Sequence, residues 1–484
     1  MLRKLKKRKH LIKLKIKTLK MSVIDNIIEN LPEVSGPTQK KLSFKEKLKW
    51  TGIALILFFI LGMIPLFGLG HNALAQFEYL STVLAAKFGS LISLGIGPIV
   101  TASIILQLLN GSGILKMDLT THGGKKKFQG IQKMLAIVII LAEAAIFVFM
   151  GGLAPAVEFI GTSAYLQLQL LLVFQLFLGG MIILFMDEVV SKWGFGSGIS
   201  LFIAAGVSQS VFIRALSPLP SPFNPGIATG AIPALFQSLA AGDPVTAGLM
   251  AAAVIATVIV FCIAVYAQAM KIEIPLSFGR VRGYGMRWPL SFIYTGVIPV
   301  ILVSALMANI QLWARLLQNW GHPFFGTFVN NSPSSGLVMW LSSPNIISKI
   351  IKGSIVSADF AHALVYMLFM IAGCVIFSIF WVQTSGMDAR SQAKQIMSSG
   401  LQIPGFRKDQ RILEHLLNRY IHPLTIMGAI AIGFLSSIAD LTGALTSGTG
   451  ILLAVMIIYK LYEEISKQHM MDLNPMMKKF MGGV

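Results

Sequence analysis

Glu143 is the one carboxylate that lies well inside a long apolar run of this 484-residue sequence. An ionisable group inside a membrane-spanning segment is a candidate functional group, because burying it there is costly. A proton- or sodium-coupled transporter usually needs paired acids or an acid beside a base, and the other polar residues in the apolar runs are neutral. We therefore interpret Glu143 first as a residue that holds helices together, worth about 1 kcal/mol. A moving interface and ion coupling stay as alternatives.

Ser197 and Ser200 stand in a glycine-rich segment, residues 194–200, which resembles the turn that carries the nucleophile of a serine hydrolase. A nucleophilic serine needs a base within hydrogen-bond reach. The nearest histidines of the apolar runs, His362 and His422, lie close to run ends, and nothing pairs them with these serines. Close helix packing explains the glycines better. The sequence contains no phosphate-binding loop, nucleotide fingerprint or metal-ligand cluster, so we expect neither an enzyme nor a cofactor.

Bulky aliphatic residues recur beside helix-breaking residues in the apolar runs. Each of them alone is most often ordinary helix packing. A ring of such side chains could instead close a pore by dewetting, which blocks ions while yielding to a passing chain. The residues concerned are Ile96 and Val100 around Pro98, Ile199 and Ile203 after the glycines of 194–198, Ile301 after Pro299, and Leu453 after Gly450.

Ten membrane-spanning helices must position these residues. The chain is 55% hydrophobic and 12% charged, whereas soluble domains carry about 25% charged residues. About 20 apolar residues cross a bilayer as a helix. The candidate runs are 51–69, 91–115, 134–157, 162–186, 197–213, 244–270, 288–314, 360–387, 421–439 and 441–459.

The net charge of +20 follows from membrane topology and does not require a nucleic-acid partner. Ten spans place both termini on one side of the membrane. Of the 40 Lys and Arg residues, five fall on the opposite side: Lys87, Arg214, Arg315, Lys349 and Lys352. Because basic residues are retained in the cytoplasm during insertion, we predict a multi-pass protein of the cell membrane with both termini cytoplasmic.

The linker 218–243 divides the spans into five and five. An odd number of spans per half makes the second half enter the membrane in the opposite sense, as in inverted-repeat folds. We therefore predict an all-α polytopic membrane protein, with ten transmembrane helices in two inverted five-helix halves around a central pore. No internal sequence repeat is evident, so the symmetry rests on this count. The predicted units are 1–49, a cytoplasmic basic tail and amphipathic helix; 50–217, the N-terminal half; 218–243, an external hinge linker; 244–463, the C-terminal half; and 464–484, a cytoplasmic tail.

Two further segments have a distinctive composition. Residues 1–20 carry ten basic residues and no acidic one, which is typical of a tail that contacts anionic membrane lipids; an extension ahead of a true start at Met21 is the alternative. Residues 71–90 are apolar yet too short to cross, so a half-inserted helix on the external side is favoured. An external loop with a short helix is the alternative there.

Six stretches of this sequence carry a family resemblance: FKEKLKW at 44–50, LGIGPIVTA at 94–102, DEVVSKWGFGSGISLFIAAGVSQ at 187–209, IPVILVSALMANIQLW at 298–313, LNRYIHPLT at 417–425 and GTGILLAVMIIYKLYEE at 448–464. Together they resemble the SecY family, the channel subunit of the protein-conducting translocon, and especially its archaeal members. The likeness extends from about residue 25 to 465 and includes the alpha subunit of the eukaryotic channel.

The resemblance implies a role for four groups of residues. The pore ring would be Ile96, Val100, Ile199, Ile203, Ile301 and Leu453. The plug would fall within 71–88 and include Phe77, Tyr79, Leu80, Val83 and Leu84. The lateral gate would lie between the second and third spans and the seventh and eighth, with polar contacts at Thr101, Glu143 and Asn309. Ribosome contacts would be Arg280, Arg282, Arg407 and Lys408, for which topology-setting charge is the alternative.

The expected function is a passive channel that moves unfolded polypeptides outward and releases apolar segments sideways into lipid. A signal sequence with an apolar core of about 7–15 residues would enter the lateral gate. The resemblance implies a SecE-type gamma subunit, a small single-span beta subunit and a ribosome with its nascent chain as partners. The alternatives are an ion-coupled secondary transporter with an inverted repeat, which needs Glu143 to titrate, and an intramembrane protease that uses Ser197 or Ser200.

Overall fold

The apolar runs fold as helices because a helix satisfies its own backbone groups where no water is available. The computed structural model describes residues 28, 30–38, 42–72, 85–111, 114–115, 117, 122–220, 226–278, 285–329, 332–398, 401–402 and 409–473. The N-terminal half contains α1 (Phe44–Met63), α2 (Gly97–Gly111), α3 (His122–Phe149), α4 (Ser163–Trp193) and α5 (Gly198–Leu216), with a short 3-10 turn at Val157–Phe159.

The C-terminal half again supplies five long helices. They are accompanied by four shorter ones in the connecting segments. In chain order the elements are α6 (Ala231–Ala240), α7 (Pro244–Ala269), α8 (Ile298–Asn319), α9 (Gly336–Trp340), α10 (Ile346–Ile351), α11 (Ser357–Ser385), α12 (Ala389–Ser398), α13 (Gln410–Leu441) and α14 (Gly448–Leu473).

Each of the ten predicted spans corresponds to one helix of the described chain. Seven helices, namely α3, α4, α5, α7, α8, α11 and α13, are long and apolar enough to cross a membrane by themselves. The other three are α1 and α14, which carry several charged residues at one end, and α2, which has 15 residues. The architecture is therefore a polytopic helical bundle.

The prediction of one continuous span over 91–115 is wrong in its first part. Residues 91–96 form consecutive turns, and α2 begins at Gly97. Gly95 has a φ of +56°, a conformation that ends any preceding helix. Pro98 therefore lies in the first turn of α2, where its missing N–H has no helical partner to lose.

Other boundaries also differ from the units drawn from the sequence. α1 begins at Phe44, where the side chain of Ser43 accepts a hydrogen bond from the Glu46 amide, and α14 continues to Leu473. The hinge linker contains α6, whose Ala and Leu residues favour helix. The predicted amphipathic helix before Pro32 lies mostly outside the described residues.

Three small antiparallel sheets lie in the described parts of the connections. β1 (His71–Asn72) pairs with β2 (Leu153–Ala154), and β5 (Phe328–Val329) pairs with β6 (Ser332–Pro333). The third sheet has the order β4 (Gly285–Ser291), β3 (Lys271–Phe278) and β7 (Leu401–Gln402). It joins two connections that are distant in the chain, because β3 and β4 lie between α7 and α8 whereas β7 lies between α12 and α13.

The segment before α1 is fastened to the end of α4. The Val34 amide donates to Oε2 of Glu188 at 2.9 Å, and the Trp193 indole donates to the Ser35 carbonyl at 2.9 Å. The Lys192 ammonium donates a hydrogen bond to the Glu33 carboxylate and forms a salt bridge with it. This contact lowers the pKa of the Glu33 carboxyl below its ordinary value. The chain thus enters the bundle at a fixed place.

α8 is the most enclosed of the seven long spans. Inside the protein, 61% of its apolar window is buried, against 17% for α7. α8 contacts α2, α11, α13 and α14, whereas α7 exposes apolar residues such as Ile255 and Phe261, as expected of a lipid-facing helix. The centre of the bundle is therefore built around α8.

Candidate functional site

The six aliphatic residues of the predicted ring pack in one hydrophobic cluster. Ile96, Val100, Ile203, Ile301 and Leu453 are each at most 6% exposed, and Ile199 is half-buried against the same cluster. The four helices that carry or follow them form a continuous series of contacts, with α5 against α14, α14 against α8, and α8 against α2. None of the six is exposed on the outer surface, where lipid-facing residues lie.

The first turns of α2 and α8 are built alike. Gly95 and Gly296 both have positive φ, +56° and +65°. Each donates its amide to the carbonyl three residues before it, that of Ile92 and of Ile293, at 3.0 Å in both cases.

The similarity continues into the two helices. A proline stands three residues after each glycine, at the second position of the helix, and Val100 and Ile301 each occupy the fourth. α2 and α8 are the second and seventh spans, which correspond in an inverted repeat of five and five.

The sequence contains a signal of this repeat that our sequence analysis missed. Residues 92–100, ISLGIGPIV, and residues 293–301, IYTGVIPVI, share the pattern I-x-x-G-[IV]-x-P-[IV]-[IV]. The match extends over only nine residues. It is therefore too short to stand out when the sequences of the two whole halves are compared. The two halves therefore use one local design for the helix starts that carry Val100 and Ile301.

The three predicted lateral-gate residues meet across three helices. Nδ2 of Asn309 on α8 donates to Oγ1 of Thr101 on α2 at 2.7 Å, and Thr101 donates to the Gly97 carbonyl at 2.8 Å. Glu143 on α3 is 4% exposed, and its carboxyl lies beside the Thr101 hydroxyl. Among the described residues it forms no ion pair.

A second contact at the predicted gate was not predicted from the sequence. α2 also contacts α11, and a Cβ placed on Gly111 at the end of α2 would lie 2.4 Å from Cδ1 of Phe380. Real Cβ atoms do not approach other atoms so closely, so only glycine fits against this ring. Gly111 and Phe380 therefore form a tight contact between the second and eighth spans.

The predicted plug residues Phe77, Tyr79, Leu80, Val83 and Leu84 lie outside the described part of the chain. Both ends of the segment are fastened. β1 begins it and pairs with β2, while the Leu66 amide donates to the Gly89 carbonyl at 2.9 Å and the Leu91 amide donates to the Ile64 carbonyl at 3.0 Å. The described chain on the two sides of the segment is therefore joined at residues 64–66 and 89–91, directly before α2.

The predicted ribosome contacts Arg280, Arg282, Arg407 and Lys408 also lie outside the described residues. The strands that lead to them are paired. Phe278 of β3 lies opposite Leu401 of β7, and Ser277 lies opposite Gln402. Two basic segments that are more than 100 residues apart in the chain thus start from adjacent strands of one sheet.

The serines of 194–200 are not arranged as a hydrolase nucleophile. Ser197 lies directly before α5, beside the carboxylate of Asp187, and makes no side-chain cap hydrogen bond. His362 packs against Trp340 near the start of α11, which is the opposite side of the membrane from the start of α5, and His422 is exposed on α13. Within the described ranges, no group of three or more His, Cys, Asp or Glu residues could hold a metal ion.

Comparison with known proteins gives a consistent result. The family model described as SecY matches residues 90–462. The protein translocase subunit SecY of Methanothermobacter thermautotrophicus is 46% identical over 456 residues, which cover 93% of this chain and 97% of that protein. The corresponding subunit of Methanocaldococcus jannaschii is 44% identical over 458 residues, which cover 94% of this chain and 98% of that protein.

Solved structures agree. The structure of a protein conducting channel superposes with a TM-score of 0.80 at 44% identity, covering 93% of this chain and 98% of that one. Sec61 in the canine ribosome-channel complex from the endoplasmic reticulum superposes with a TM-score of 0.77 at 44% identity, with the same coverage. The idle yeast Ssh1 complex bound to the yeast 80S ribosome gives 0.69 at 21% identity, covering 90% of this chain and 92% of that one, a likeness of fold alone.

The contact between Gly111 and Phe380 makes a testable prediction. Gly111→Val should push α2 away from α11 and destabilise the protein by about 1–3 kcal/mol, the usual cost of overpacking. Combining it with Phe380→Ala should restore part of that loss, because the ring is the obstacle. The apparent melting temperature of the purified protein in detergent measures both effects.

Gly52→Val is the matched control, because nothing lies within 4 Å of a Cβ placed on Gly52 in α1. An equal loss of stability for Gly52→Val and Gly111→Val would contradict the proposed contact.

Proposed function

This chain belongs to the SecY family and is a protein-conducting channel of a protein translocase, and we propose that its six buried aliphatic residues form the central constriction. The observation that carries the proposal is their burial in one cluster on α2, α5, α8 and α14. Aliphatic side chains make no hydrogen bonds to a passing chain, so they suit a seal that tolerates many sequences. Without a chain, the same surface excludes ions by dewetting.

The length of α2 supports a central position for its first turn. Its 15 residues span about 22 Å at 1.5 Å per residue, less than the hydrocarbon thickness of about 30 Å. The irregular turns 91–96 before it therefore lie at membrane depth. Non-helical backbone is tolerated there only inside protein or beside a cavity, which is where a constriction would be.

The constriction makes a direct prediction for ion leakage. Ile96→Ser with Ile301→Ser should wet the closed pore and raise the resting ion conductance about tenfold or more, equivalent to lowering the barrier by about 1.4 kcal/mol. Conductance of the complex reconstituted in planar bilayers is the measurement. Ile255→Ser on the exposed face of α7 is the control, and wild-type conductance in the double variant would contradict the ring.

We further propose that the seam of α2 and α3 against α8 and α11 is the lateral gate. Its support is the contact of Thr101, Glu143 and Asn309, one small polar group between apolar helices. A hydrogen bond between helices in a membrane contributes about 1 kcal/mol, so the closed seam can be separated at low cost. The apolar core of a signal sequence would open it, because both the seam and lipid favour apolar surface over water.

The gate interpretation predicts that Glu143→Gln is tolerated. The amide keeps a hydrogen-bonding group beside Thr101, so chain translocation in proteoliposomes should stay within about twofold of wild type, a change of less than about 0.5 kcal/mol. Glu143→Leu, which removes the polar group beside Thr101, is the comparison. Abolished translocation in Glu143→Gln alone would instead indicate that the carboxyl must titrate.

We propose that residues 71–88 form the plug, with Phe77, Tyr79, Leu80, Val83 and Leu84 as its apolar residues. The support is that both ends of this segment are fastened directly before α2. A segment held at that place is within reach of Ile96, the first aliphatic residue of the ring. The name of a similar structure states that the plug domain of the SecY protein stabilises the closed state of the translocation channel.

We propose that Arg280, Arg282, Arg407 and Lys408 bind phosphates of ribosomal RNA. The pairing of β3 with β7 supports it, because it brings the starts of both basic loops together, and clustered cations bind phosphate backbones better than single ones. Two solved structures similar in fold are named as ribosome complexes.

The excess of Lys and Arg on one side supports a cytoplasmic location for these loops and both termini. A SecE-type gamma subunit, a single-span beta subunit, signal sequences and membrane lipids complete the proposed partners.

This assignment predicts a salt-dependent defect. Arg407→Glu with Lys408→Glu should weaken ribosome binding and lower the slope of log affinity against log salt by about two, one for each lost phosphate contact. Co-sedimentation with ribosomes over a salt series measures it. Lys467→Glu, on an exposed position of α14, is the control for charge alone, and an equal effect of both changes would contradict specific contacts.

A further inference from the structure

The start of α5 is held by a side chain of the preceding span. Oδ1 of Asp187 on α4 accepts the amide of Ile199 at 3.0 Å. Ser197, the residue before α5, makes no side-chain cap of its own. The carboxylate of Asp187 therefore replaces the usual local cap and ties the second amide of α5 to another helix.

The start of α14 is held in the same way. Oδ1 of Asp440 on α13 accepts the Thr449 amide at 2.7 Å, and the Thr449 hydroxyl also donates to this carboxylate. The hydroxyl of Tyr366 on α11 donates to Oδ2 at 2.7 Å. Asp440 is 5% exposed. Here too a carboxylate of the preceding span binds the second amide of the next one.

The two arrangements correspond residue by residue within the helices that they hold. α5 begins at Gly198 and α14 at Gly448, so the bound amide is that of the second residue in both. Ile203 and Leu453 are then each the sixth residue. At 1.5 Å per residue, each ring side chain starts about 6 Å along the helix from the residue that is held.

Glycine at each start permits a very close approach to the helix that supplies the carboxylate. A Cβ on Gly198 would lie 2.5 Å from Cα of Asp187, and a Cβ on Gly448 would lie 1.9 Å from the carbonyl carbon of Ala439. Any side chain there would move the start of the helix away. Contact and hydrogen bonds together fix where α5 and α14 begin.

We propose that Asp187 and Asp440 are positioning residues, which set the depth of α5 and α14 so that Ile203 and Leu453 meet in the constriction. The inference rests on the proposed pore ring. The first amides of a helix have no intrahelical acceptor, and a carboxylate at that end also matches the positive end of the helix dipole. When such a start is enclosed in protein, water cannot take over the lost bonds, so the helix must shift to find acceptors.

The chain offers a matched control in α7. Asp243 caps that helix by accepting the amides of Val245 and Thr246, each at 3.2 Å. α7 carries none of the six ring residues and largely faces outward. Loss of its cap should therefore cost stability without altering the constriction.

The experiment compares Asp187→Ala, Asp440→Ala, Asp243→Ala and Ile301→Ser in the complete complex, reconstituted in bilayers. The readouts are resting ion conductance and translocation of an unfolded chain in parallel vesicles. We expect the first two variants to raise conductance about fivefold, the shift that loss of one cap produces in an equilibrium, while translocation continues. We expect Asp243→Ala to match wild type.

Wild-type conductance in Asp187→Ala and Asp440→Ala, beside a leaking Ile301→Ser, would overturn the positioning role and leave the ring intact. If Ile301→Ser does not leak either, the ring assignment itself fails. Equal leakage in Asp243→Ala would reduce the effect to general loss of stability and would also overturn the proposal.

Conservative variants decide the matter if the alanine variants do not fold. Asp187→Asn and Asp440→Asn keep an acceptor at the same distance, whereas Asp187→Glu and Asp440→Glu keep the charge but lengthen the side chain by one methylene. We expect the Asn variants to remain closed and the Glu variants to leak. Glu variants that leak no more than the Asn variants would overturn the proposal.

Discussion

A polypeptide inside a membrane must satisfy its backbone N–H and C=O groups within the protein, because lipid offers no hydrogen bonds. This constraint restricts where a helix can begin or be interrupted. A helix start has four amides without helical acceptors, so a start at membrane depth has to be enclosed and given acceptors by other parts of the chain. In this protein the starts of α2, α5, α8 and α14 are treated in this way, and they carry or closely follow the six aliphatic residues proposed to close the channel.

The protein satisfies this constraint in two ways, and each way is found once in each half. At α2 and α8 a glycine turn with positive φ leads into a proline in the first turn, which needs no acceptor. At α5 and α14 an aspartate of the preceding span accepts the amide of the second helical residue. The inverted halves are thus related by the devices that hold their helix starts, although their sequences have diverged elsewhere.

Much of this architecture could be predicted from the sequence, because composition and charge report directly on the membrane. The ten runs, the burial of Ile96 and Ile301, and the meeting of Thr101 with Asn309 followed from apolarity and from the resemblance. The start of α2 at Gly97 could not be predicted in this way, because hydropathy is the same whether an apolar segment forms turns or a helix. Two tertiary contacts were also missed, because no local pattern in the sequence encodes them. They are the contact of Asp440 with the start of α14 and the contact of Gly111 with Phe380. The sheet of β3, β4 and β7 was also missed, because its third strand is distant in sequence.

The central claim is that Ile96, Ile203, Ile301 and Leu453 surround the path of the translocating chain. The most direct test places a photo-reactive residue at each position in turn, and at lipid-facing Ile255, in a complex that holds a stalled nascent chain. The account predicts cross-links to the nascent chain from all four positions and cross-links to lipid from position 255. Cross-links to lipid from the four positions, with none to the nascent chain, would contradict it.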